Sequence, residues 1–138
     1  MLPYQVDDAM NEARIIRKLI HPYIVRCVRT EQIGKKLFIV MEWCGKRDLH
    51  QFIKAHQDRP LPEERIWRIF IEVCVGLQYL HSNKILHRDL KPLNIFLTAE
   101  LKVKIGDVGE AKQLESTNAF GSTNVGTLHY TSPEILNN

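Results

Sequence analysis

The sequence predicts an α+β fold in a single domain. Three observations support this prediction: an amphipathic stretch at 62–82 with helical spacing, a pair of strand-like runs before it, and three short apolar runs after it. The chain has 138 residues, of which 44% are hydrophobic and 25% are charged, and this is the composition of an ordinary globular protein that can build a core.

The first element is a helix predicted over residues 7–20. Its apolar side chains recur at helical spacing, with basic side chains largely on the opposite face. The helix is predicted to end at His21-Pro22, because the residue before a proline avoids helical dihedral angles. The predicted buried face consists of Ala9, Ala13, Ile16 and Ile20.

Two strands and a short helix are predicted next. The runs at 24–28 and 36–43 are expected to pair as a hairpin, joined by a turn at 32–35. A short helix is predicted over 48–56, after the second strand ends.

The most regular helix is predicted at 62–82. Pro62 suits the first helical position, and Glu63 and Glu64 suit the positive end of the helix dipole. An apolar stripe at helical spacing is expected to belong to the core. It consists of Ile66, Ile69, Phe70, Val73, Leu77 and Leu80.

Beyond this helix the predicted elements become short. Strands are predicted at 85–86, 95–97 and 103–105. The segment 107–134 is polar and glycine-rich with little periodicity, and long segments of this kind inside a compact domain are commonly functional.

Charge and composition argue against several classes of function. The formal net charge is only +3, without a basic stripe or aromatic platform, which argues against nucleic acid and membranes as partners. The three cysteines and six histidines show no metal-ligand spacing, so we expect reduced cysteines that are buried or line a cavity. There is no signal-peptide pattern and no apolar run of about 18 residues. We therefore expect a cytoplasmic protein, with nuclear or cytoskeleton-associated placement as alternatives.

Two short motifs carry the chemical signal. The run H-R-D-L-K-P-L-N occupies 87–94, and D-V-G follows at 107–109, after a gap that fits a short β-hairpin. Phosphoryl transfer needs a carboxylate base, positive charge and metal ligands at fixed spacing, and these two motifs contain all three.

Each position in these motifs has a chemical role and a structural alternative. Asp89 can accept the proton of a substrate hydroxyl, and Lys91 can stabilise charge on a transferring phosphate. Asn94 and Asp107 offer oxygen ligands to Mg²⁺. Taken singly, Asp89 could cap a turn, Asn94 could form an Asx-turn and Asp107 could mark a turn only, but their combination favours the catalytic interpretation.

The motifs are similar to those of eukaryotic Ser/Thr protein kinase domains, and most similar to those of the NIMA-related (NEK) kinases. The segment ILHRDLKPLNIFLT at 85–98 is especially close to the NEK pattern, and GTLHYTSPE at 126–134 resembles the end of a kinase activation segment. The resemblance implies a two-lobe kinase fold, with 1–44 in the N-terminal lobe and 45–138 in the C-terminal lobe. It also implies ATP and Mg²⁺ as cofactors and a Ser or Thr of a protein as the substrate.

The same resemblance implies further roles by position. Residues 11–16 resemble the αC helix, with Glu12 as its paired glutamate, and residues 38–44 resemble the hinge between lobes. Thr127 would support the base and the substrate hydroxyl. The nucleotide would contact the gatekeeper Met41, the backbone of Glu42 and Cys44, Asp48 near the ribose, and Phe96 beneath the adenine.

Phosphorylation of the activation segment is a further implication. His87 and Arg88 are expected to hold the catalytic loop, and a phosphate could pair with Arg88 and order the segment. Autophosphorylation or an activating kinase would supply it, and Glu134 belongs to the Pro-Glu end of the segment. The candidate acceptors are Thr123 first and then Ser116, Thr117 and Ser122, with a merely solvated hydroxyl as the alternative for each.

The sequence also departs from the kinase pattern. Val108 stands where the family usually has phenylalanine, which puts the switching of the loop in question but not the metal ligand Asp107. The 138 residues do not include three features of the family pattern. These are a glycine-rich loop, the strand lysine that would pair with Glu12, and the later helices of the C-terminal lobe. We expect a Ser/Thr kinase segment truncated at both ends, with negligible activity of the isolated chain. The alternatives are an inactive remnant that acts as a binding or regulatory module, and an incomplete gene model.

Overall fold

The computed structural model describes residues 13–34, 36–108, 112–113 and 127–133. Within these ranges, helices pack with three two-stranded antiparallel sheets, which confirms the α+β prediction. In chain order the elements are α1 (helical residues 13–18), β1 (Cys27–Ile33), β2 (Lys36–Met41), α2 (Leu49–Lys54), α3 (Glu63–Ser82), β3 (Ile85–Leu86), a first 3₁₀ turn (Pro92–Asn94), β4 (Ile95–Leu97), β5 (Val103–Ile105), β6 (Lys112–Gln113) and a second 3₁₀ turn (Leu128–Tyr130).

Helix α1 buries two of the three described residues of the predicted apolar face. Ala13 and Ile16 are buried as predicted. The prediction for Ile20 is wrong, since its side chain is 73% exposed and Leu19 lies in the core instead. The helical segment ends at residue 18, so the four-residue spacing of a helix face no longer applies at residue 20.

Strands β1 and β2 form the predicted antiparallel hairpin. Strand β2 starts at the predicted residue 36 and ends two residues before the predicted end at 43. Strand β1 begins at Cys27 instead of residue 24 and extends to Ile33, into the predicted turn at 32–35. The chain reverses next to Gly34, whose φ of 59° is easily reached only by glycine. Most side chains of β1 are exposed, so the strand lacks the apolar alternation on which the prediction depended.

Asp48 and Pro62 precede their helices rather than belonging to them. Asp48 caps α2, because its Oδ1 accepts the backbone N–H of Gln51 at 2.8 Å and its Oδ2 accepts the side-chain amide of Gln51 at 2.8 Å. Pro62 occupies the cap position of α3, one residue before the predicted place, which is an ordinary difference at a helix end.

Helix α3 is covered on only part of its apolar surface. Ile69 and Leu80 are buried, and Val73 and Leu77 pack against the core, as predicted. The prediction that the whole stripe is core is wrong, because α3 rests on β3 and β5 through one narrow face. The exposed apolar side chains of this helix are Ile66, Trp67, Phe70, Ile71 and Val75.

Strand β5 lies at the centre of the core. Val103 and Ile105 have no exposed surface, and β5 pairs in register with β4. Ile105 donates its N–H to the carbonyl of Tyr23 and accepts the N–H of Val25, both at 2.8 Å. A Cβ on Gly76 would lie 2.8 Å from Ile105 Cδ1, so α3 can approach β5 this closely because residue 76 is glycine.

The segment 107–134 contains two short elements that the sequence does not predict. Strand β6 pairs with β3, and the second 3₁₀ turn follows at Leu128–Tyr130. Both residues of β6, Lys112 and Gln113, are polar and carry no strand signal, whereas the equally short β3 was predicted from its apolar residues Ile85 and Leu86.

Two expectations from composition can also be compared with the described residues. Cys27 and Cys44 are half-buried free thiols as expected, whereas Cys74 is exposed on α3. Among the helices of the described ranges, none has the length and apolar character that crossing a membrane requires.

A buried carboxylate joins α3 to β5. The side chain of Glu72 accepts the backbone N–H of Val103 at 2.7 Å through Oε2, and Arg68 Nε at 3.1 Å through Oε1. Glu72 is only 6% exposed, so its charge is compensated inside the protein. Sequence reasoning did not single out this residue, because a glutamate within a long helix ordinarily faces solvent.

Replacing Glu72 by alanine should lower the free energy of unfolding by about 1–3 kcal/mol, since the N–H of Val103 would stay buried without an acceptor. The control Arg68→Ala removes only the half-exposed partner and should cost less than about 1 kcal/mol. Urea denaturation of the full-length protein measures both values. Equal losses in the two variants would contradict the importance of the bond to Val103.

Candidate active site

The carboxylate of Asp89 is the centre of the loop between β3 and the first 3₁₀ turn. Its side chain is 11% exposed. Oδ1 accepts the N–H and the hydroxyl of Thr127 at 2.9 and 2.8 Å. Oδ2 accepts Lys91 Nζ at 2.6 Å and Asn94 Nδ2 at 3.1 Å. Each oxygen therefore accepts two hydrogen bonds, which orient the carboxylate closely.

Lys91 connects Asp89 to Thr127. Its ammonium donates to Asp89 Oδ2 and to Thr127 Oγ1, both at 2.6 Å. The Thr127 hydroxyl in turn donates to Asp89 Oδ1. The three side chains thus form a closed ring of hydrogen bonds that the two charges strengthen. The structure brings these three predicted residues together.

The pKa of Asp89 lies below its ordinary value. Burial alone would raise this pKa, but the hydrogen bonds from Lys91 and Thr127 and the charge of Lys91 stabilise the carboxylate more strongly. The group is therefore ionised and ready to accept a hydrogen bond at neutral pH.

His87 holds this loop against the end of β5. The imidazole is 3% exposed, its Nε2 lies 2.9 Å from the carbonyl of Gly106, and its Nδ1 lies 3.4 Å from the N–H of Asp89. A neutral ring with the proton on Nε2 satisfies both contacts. Arg88, which lies between His87 and Asp89 in the chain, has a φ of 67° in the left-handed region. Such strained conformations are typical of functional loops.

A cleft of about 560 Å³ lies next to this loop. It is lined by the two predicted metal ligands and by all five predicted nucleotide contacts, which are Met41, Glu42, Cys44, Asp48 and Phe96. Sequence analysis assigned no contact with the nucleotide to four further lining residues: Val25, Trp43, Arg47 and Gly106. Of these, Trp43 belongs to the segment 38–44 that resembles the hinge. A Cβ at Gly106 would lie 2.6 Å from Phe96 Cε2, so a larger residue would disturb the aromatic ring.

Asn94 and Asp107 both line this cleft. Asn94 Nδ2 donates to the carbonyl and to Oδ2 of Asp89, so the amide oxygen is the atom that remains for another partner. Asp107 is exposed and has a φ of 52°, which aspartate tolerates better than most residues. Within the described residues, no group of three or more His, Cys, Asp or Glu side chains could hold a metal. Two oxygen donors fit a cation that takes its other ligands from phosphate and water.

Residues 42–44, which we call the connecting segment, follow β2 along the cleft. The N–H of Glu42 donates to the carbonyl of Arg26 at 2.9 Å. Among the described residues, the Glu42 carbonyl and the Cys44 N–H have no hydrogen-bond partner. The segment therefore offers a ligand one acceptor and one donor. Burial raises the pKa of the Cys44 thiol and the Glu42 charge raises it further, against an opposing effect of Lys104, so this thiol is a poor nucleophile.

Comparison with known proteins identifies the family. A family model described as the protein kinase domain matches residues 3–138. The chain belongs to the protein kinase family. The resemblance to NEK kinases is confirmed by mouse serine/threonine-protein kinase Nek3, which is 41% identical over 138 residues, covering 100% of this chain and 27% of that protein. Mouse serine/threonine-protein kinase Nek4 is 40% identical over 131 residues, covering 94% of this chain and 16% of that protein.

The similarity extends beyond the NEK kinases. The carbon catabolite-derepressing protein kinase of Secale cereale is 35% identical over 137 residues, which are 97% of this chain and 27% of that protein. The chain therefore spans about a quarter or less of the length of the relatives it matches.

Val108 is part of the core. It is 4% exposed and belongs to the same buried cluster as Ile16 on α1. The smaller side chain at this position is thus packed among apolar neighbours, directly after the exposed Asp107.

Several predicted positions lie outside the described residues. They are Ala9, Glu12, Ser116, Thr117, Ser122, Thr123 and Glu134.

The stability of the protein should depend on pH through Asp89. Because the pKa of Asp89 is lowered by folding, its ionised form stabilises the folded state above the ordinary pKa of 3.8, and this contribution disappears as the pH falls through the lower folded-state value. The difference in unfolding free energy between the wild type and Asp89→Asn should be constant above about pH 5 and shrink in more acidic solution.

Denaturant unfolding of the full-length protein at a series of pH values measures this difference. Asp58→Asn, which changes an exposed aspartate outside the cleft, is the matched control and should leave stability unchanged. A difference for Asp89→Asn that stays constant into strong acid would contradict the lowered pKa.

Proposed function

We propose that this kinase transfers the γ-phosphate of ATP to a serine or threonine of a protein. The observation that carries the proposal is the bonding of Asp89 to Lys91, Thr127 and Asn94 beside a cleft that Asp107 also lines. These groups supply the base, the positive charge and the metal ligands that phosphoryl transfer requires.

In the proposed complex the cleft holds the nucleotide. Its volume of about 560 Å³ is in the usual range for a small-molecule site. The Glu42 carbonyl and the Cys44 N–H would bond the edge of the adenine, whose faces would contact Met41 and Phe96. Asp48 would lie near the ribose, where its carboxylate is already oriented by Gln51.

Protein kinases generally use ATP with Mg²⁺, and the donor atoms here fit that ion. Mg²⁺ prefers oxygen ligands and is commonly held by one or two protein groups together with phosphate and water oxygens. The amide oxygen of Asn94 and the carboxylate of Asp107 would hold it. When bound, the ion neutralises charge on the phosphates.

Asp89 would orient the substrate hydroxyl and take its proton. The hydroxyl oxygen bonds to the γ-phosphorus, the bond to the bridging β–γ oxygen breaks, and the proton moves to a carboxylate oxygen of Asp89. The hydrogen bond that the Thr127 hydroxyl donates to Oδ1 at 2.8 Å is the kind of contact that a substrate serine or threonine would make. Lys91, bound to Oδ2, would stabilise charge on the transferring group.

Asp89→Asn should reduce the turnover number on a protein or peptide substrate by on the order of 10²- to 10⁴-fold, because the amide cannot accept the proton. Affinity for Mg-ADP should change little, since Asp89 does not line the cleft. Radiolabelled phosphate transfer and titration calorimetry on the full-length protein measure the two quantities. Asp58→Asn is the matched control and should retain full activity.

Three outcomes bear on the proposal. Undiminished transfer by Asp89→Asn would contradict its role as the base. Binding of Mg-ATP by the wild type without transfer to any substrate would favour the non-catalytic binding or regulatory module. An absence of binding would contradict the proposed nucleotide site.

The proposal includes activation by phosphorylation of Thr123, through autophosphorylation or an activating kinase. A phosphate there would carry nearly two negative charges and would pair with Arg88 beside the base. Thr123→Ala should therefore lower the activity of the full-length protein several-fold, and Thr123→Glu should restore part of it. Unchanged activity of Thr123→Ala in a kinase assay would contradict this extension.

A further inference from the structure

An ion pair lies directly behind the connecting segment. Glu42 Oε1 accepts Lys104 Nζ at 2.7 Å and also the backbone N–H of Arg26 at 2.6 Å. The backbone N–H of Glu42 donates back to the carbonyl of Arg26. One side chain of the segment is therefore bonded both to the chain before β1 and to β5.

The pair is better shielded from water than an ordinary surface ion pair. The side chains of Lys104 and Glu42 are 15% and 24% exposed. By contrast, the pair of Arg29 and Glu31 on β1 is 69% and 51% exposed and separated by 3.9 Å. Attraction between charges increases as water is excluded. The shielded pair of Lys104 and Glu42 can therefore hold a backbone segment in place, whereas the exposed pair of Arg29 and Glu31 cannot.

Lys104 also belongs to the strand that leads to the proposed metal ligand. It is the middle residue of β5, and Asp107 follows it by three positions. Strand β5 is fixed by its pairing with β4 and by the full burial of Val103 and Ile105, the residues before and after Lys104. Lys104 therefore gives the connecting segment a contact to the buried strand that leads to Gly106 and Asp107 in the cleft.

Glu42 contributes to two cavities. It lines the nucleotide cleft, and it also lines a hollow of about 310 Å³ that it shares with Arg26, Lys104 and residues 20–22. Glu42 thus lies between the cleft and the hollow, with Lys104 on the side of the hollow. Without the bond to Lys104, the segment could move back toward that hollow, because residues 43–44 have no strand partner in the described part of the chain and Glu42 alone is held by a backbone bond to the chain before β1, at Arg26.

We propose that Lys104 and Glu42 are positioning residues that set the place of the adenine-binding backbone relative to β5. This inference rests on the proposed function, because it assumes that the Glu42 carbonyl and the Cys44 N–H bond the base. The pair acts on affinity for the adenine part of the nucleotide. It does not act on the recognition of the phosphates, which is the task of Asn94 and Asp107.

The test compares three variants of the full-length protein. Lys104→Met removes the charge but keeps a chain of similar length and leaves the bond between Glu42 and Arg26 in place. Lys104→Arg keeps a donor and a charge for the carboxylate. Lys102→Met removes a lysine of the same stretch that is exposed and does not line the cleft. Titration calorimetry gives the Kd of adenosine and of Mg-ADP for each, and denaturant unfolding gives its stability.

Lys104→Met should weaken the binding of adenosine and of Mg-ADP by the same factor, on the order of tenfold. The equal factor is the informative result, because it assigns the loss to the base. Lys104→Arg should recover most of the affinity, and Lys102→Met should match the wild type.

The outcomes separate this inference from the proposed function. A lower stability of Lys104→Met with an unchanged adenosine Kd would assign the pair to folding alone and overturn the inference. Tighter binding by Lys104→Met, or a loss confined to Mg-ADP, would also overturn it. If the wild type bound neither adenosine nor Mg-ADP, the nucleotide site itself would be refuted, and the inference with it.

Discussion

The burial of strand β5 is the constraint on which the rest of the structure depends. Val103 and Ile105 have no exposed surface, and specific contacts join this strand to the elements around it. Helix α3 contacts it through Gly76 and the carboxylate of Glu72, and the chain before β1 contacts it through two backbone hydrogen bonds. Asp107 follows the strand by two residues. A displacement of β5 would therefore disturb the core and the cleft together.

The second organising feature is the set of hydrogen bonds that the Asp89 carboxylate accepts. Asp89 accepts two hydrogen bonds from its own loop and two from Thr127, 38 residues along the chain, and its lowered pKa follows from those bonds. Such a group needs little rearrangement when a substrate hydroxyl arrives, because the surrounding donors already stabilise its charge. In the proposed reaction, this fixed carboxylate would both orient the hydroxyl and accept its proton as the bond to phosphorus forms.

The departure from the kinase pattern at Val108 affects the apolar packing beside Asp107. The family pattern has an aromatic residue here, and a valine fills less volume. In this structure Val108 is nevertheless buried in the cluster that contains Ile16, so the position next to Asp107 is still anchored by apolar contacts. Asp107, the proposed metal ligand, lines the cleft with this smaller neighbour present.

The sequence by itself determined the elements and groups whose signal is local. The strands at 95–97 and 103–105 and the long helix α3 follow from apolar spacing, and Asp89, Lys91, Asn94 and Asp107 follow from a chemistry that requires fixed spacing. Only the tertiary structure decided which distant groups meet. Thr127 reaches Asp89 across 38 residues and Lys104 reaches Glu42 across 62, while Phe70 stays exposed although its spacing matched that of buried neighbours. The physical reason is that burial and hydrogen bonding depend on the partner that arrives from elsewhere in the chain, and a short-range pattern contains no information about that partner.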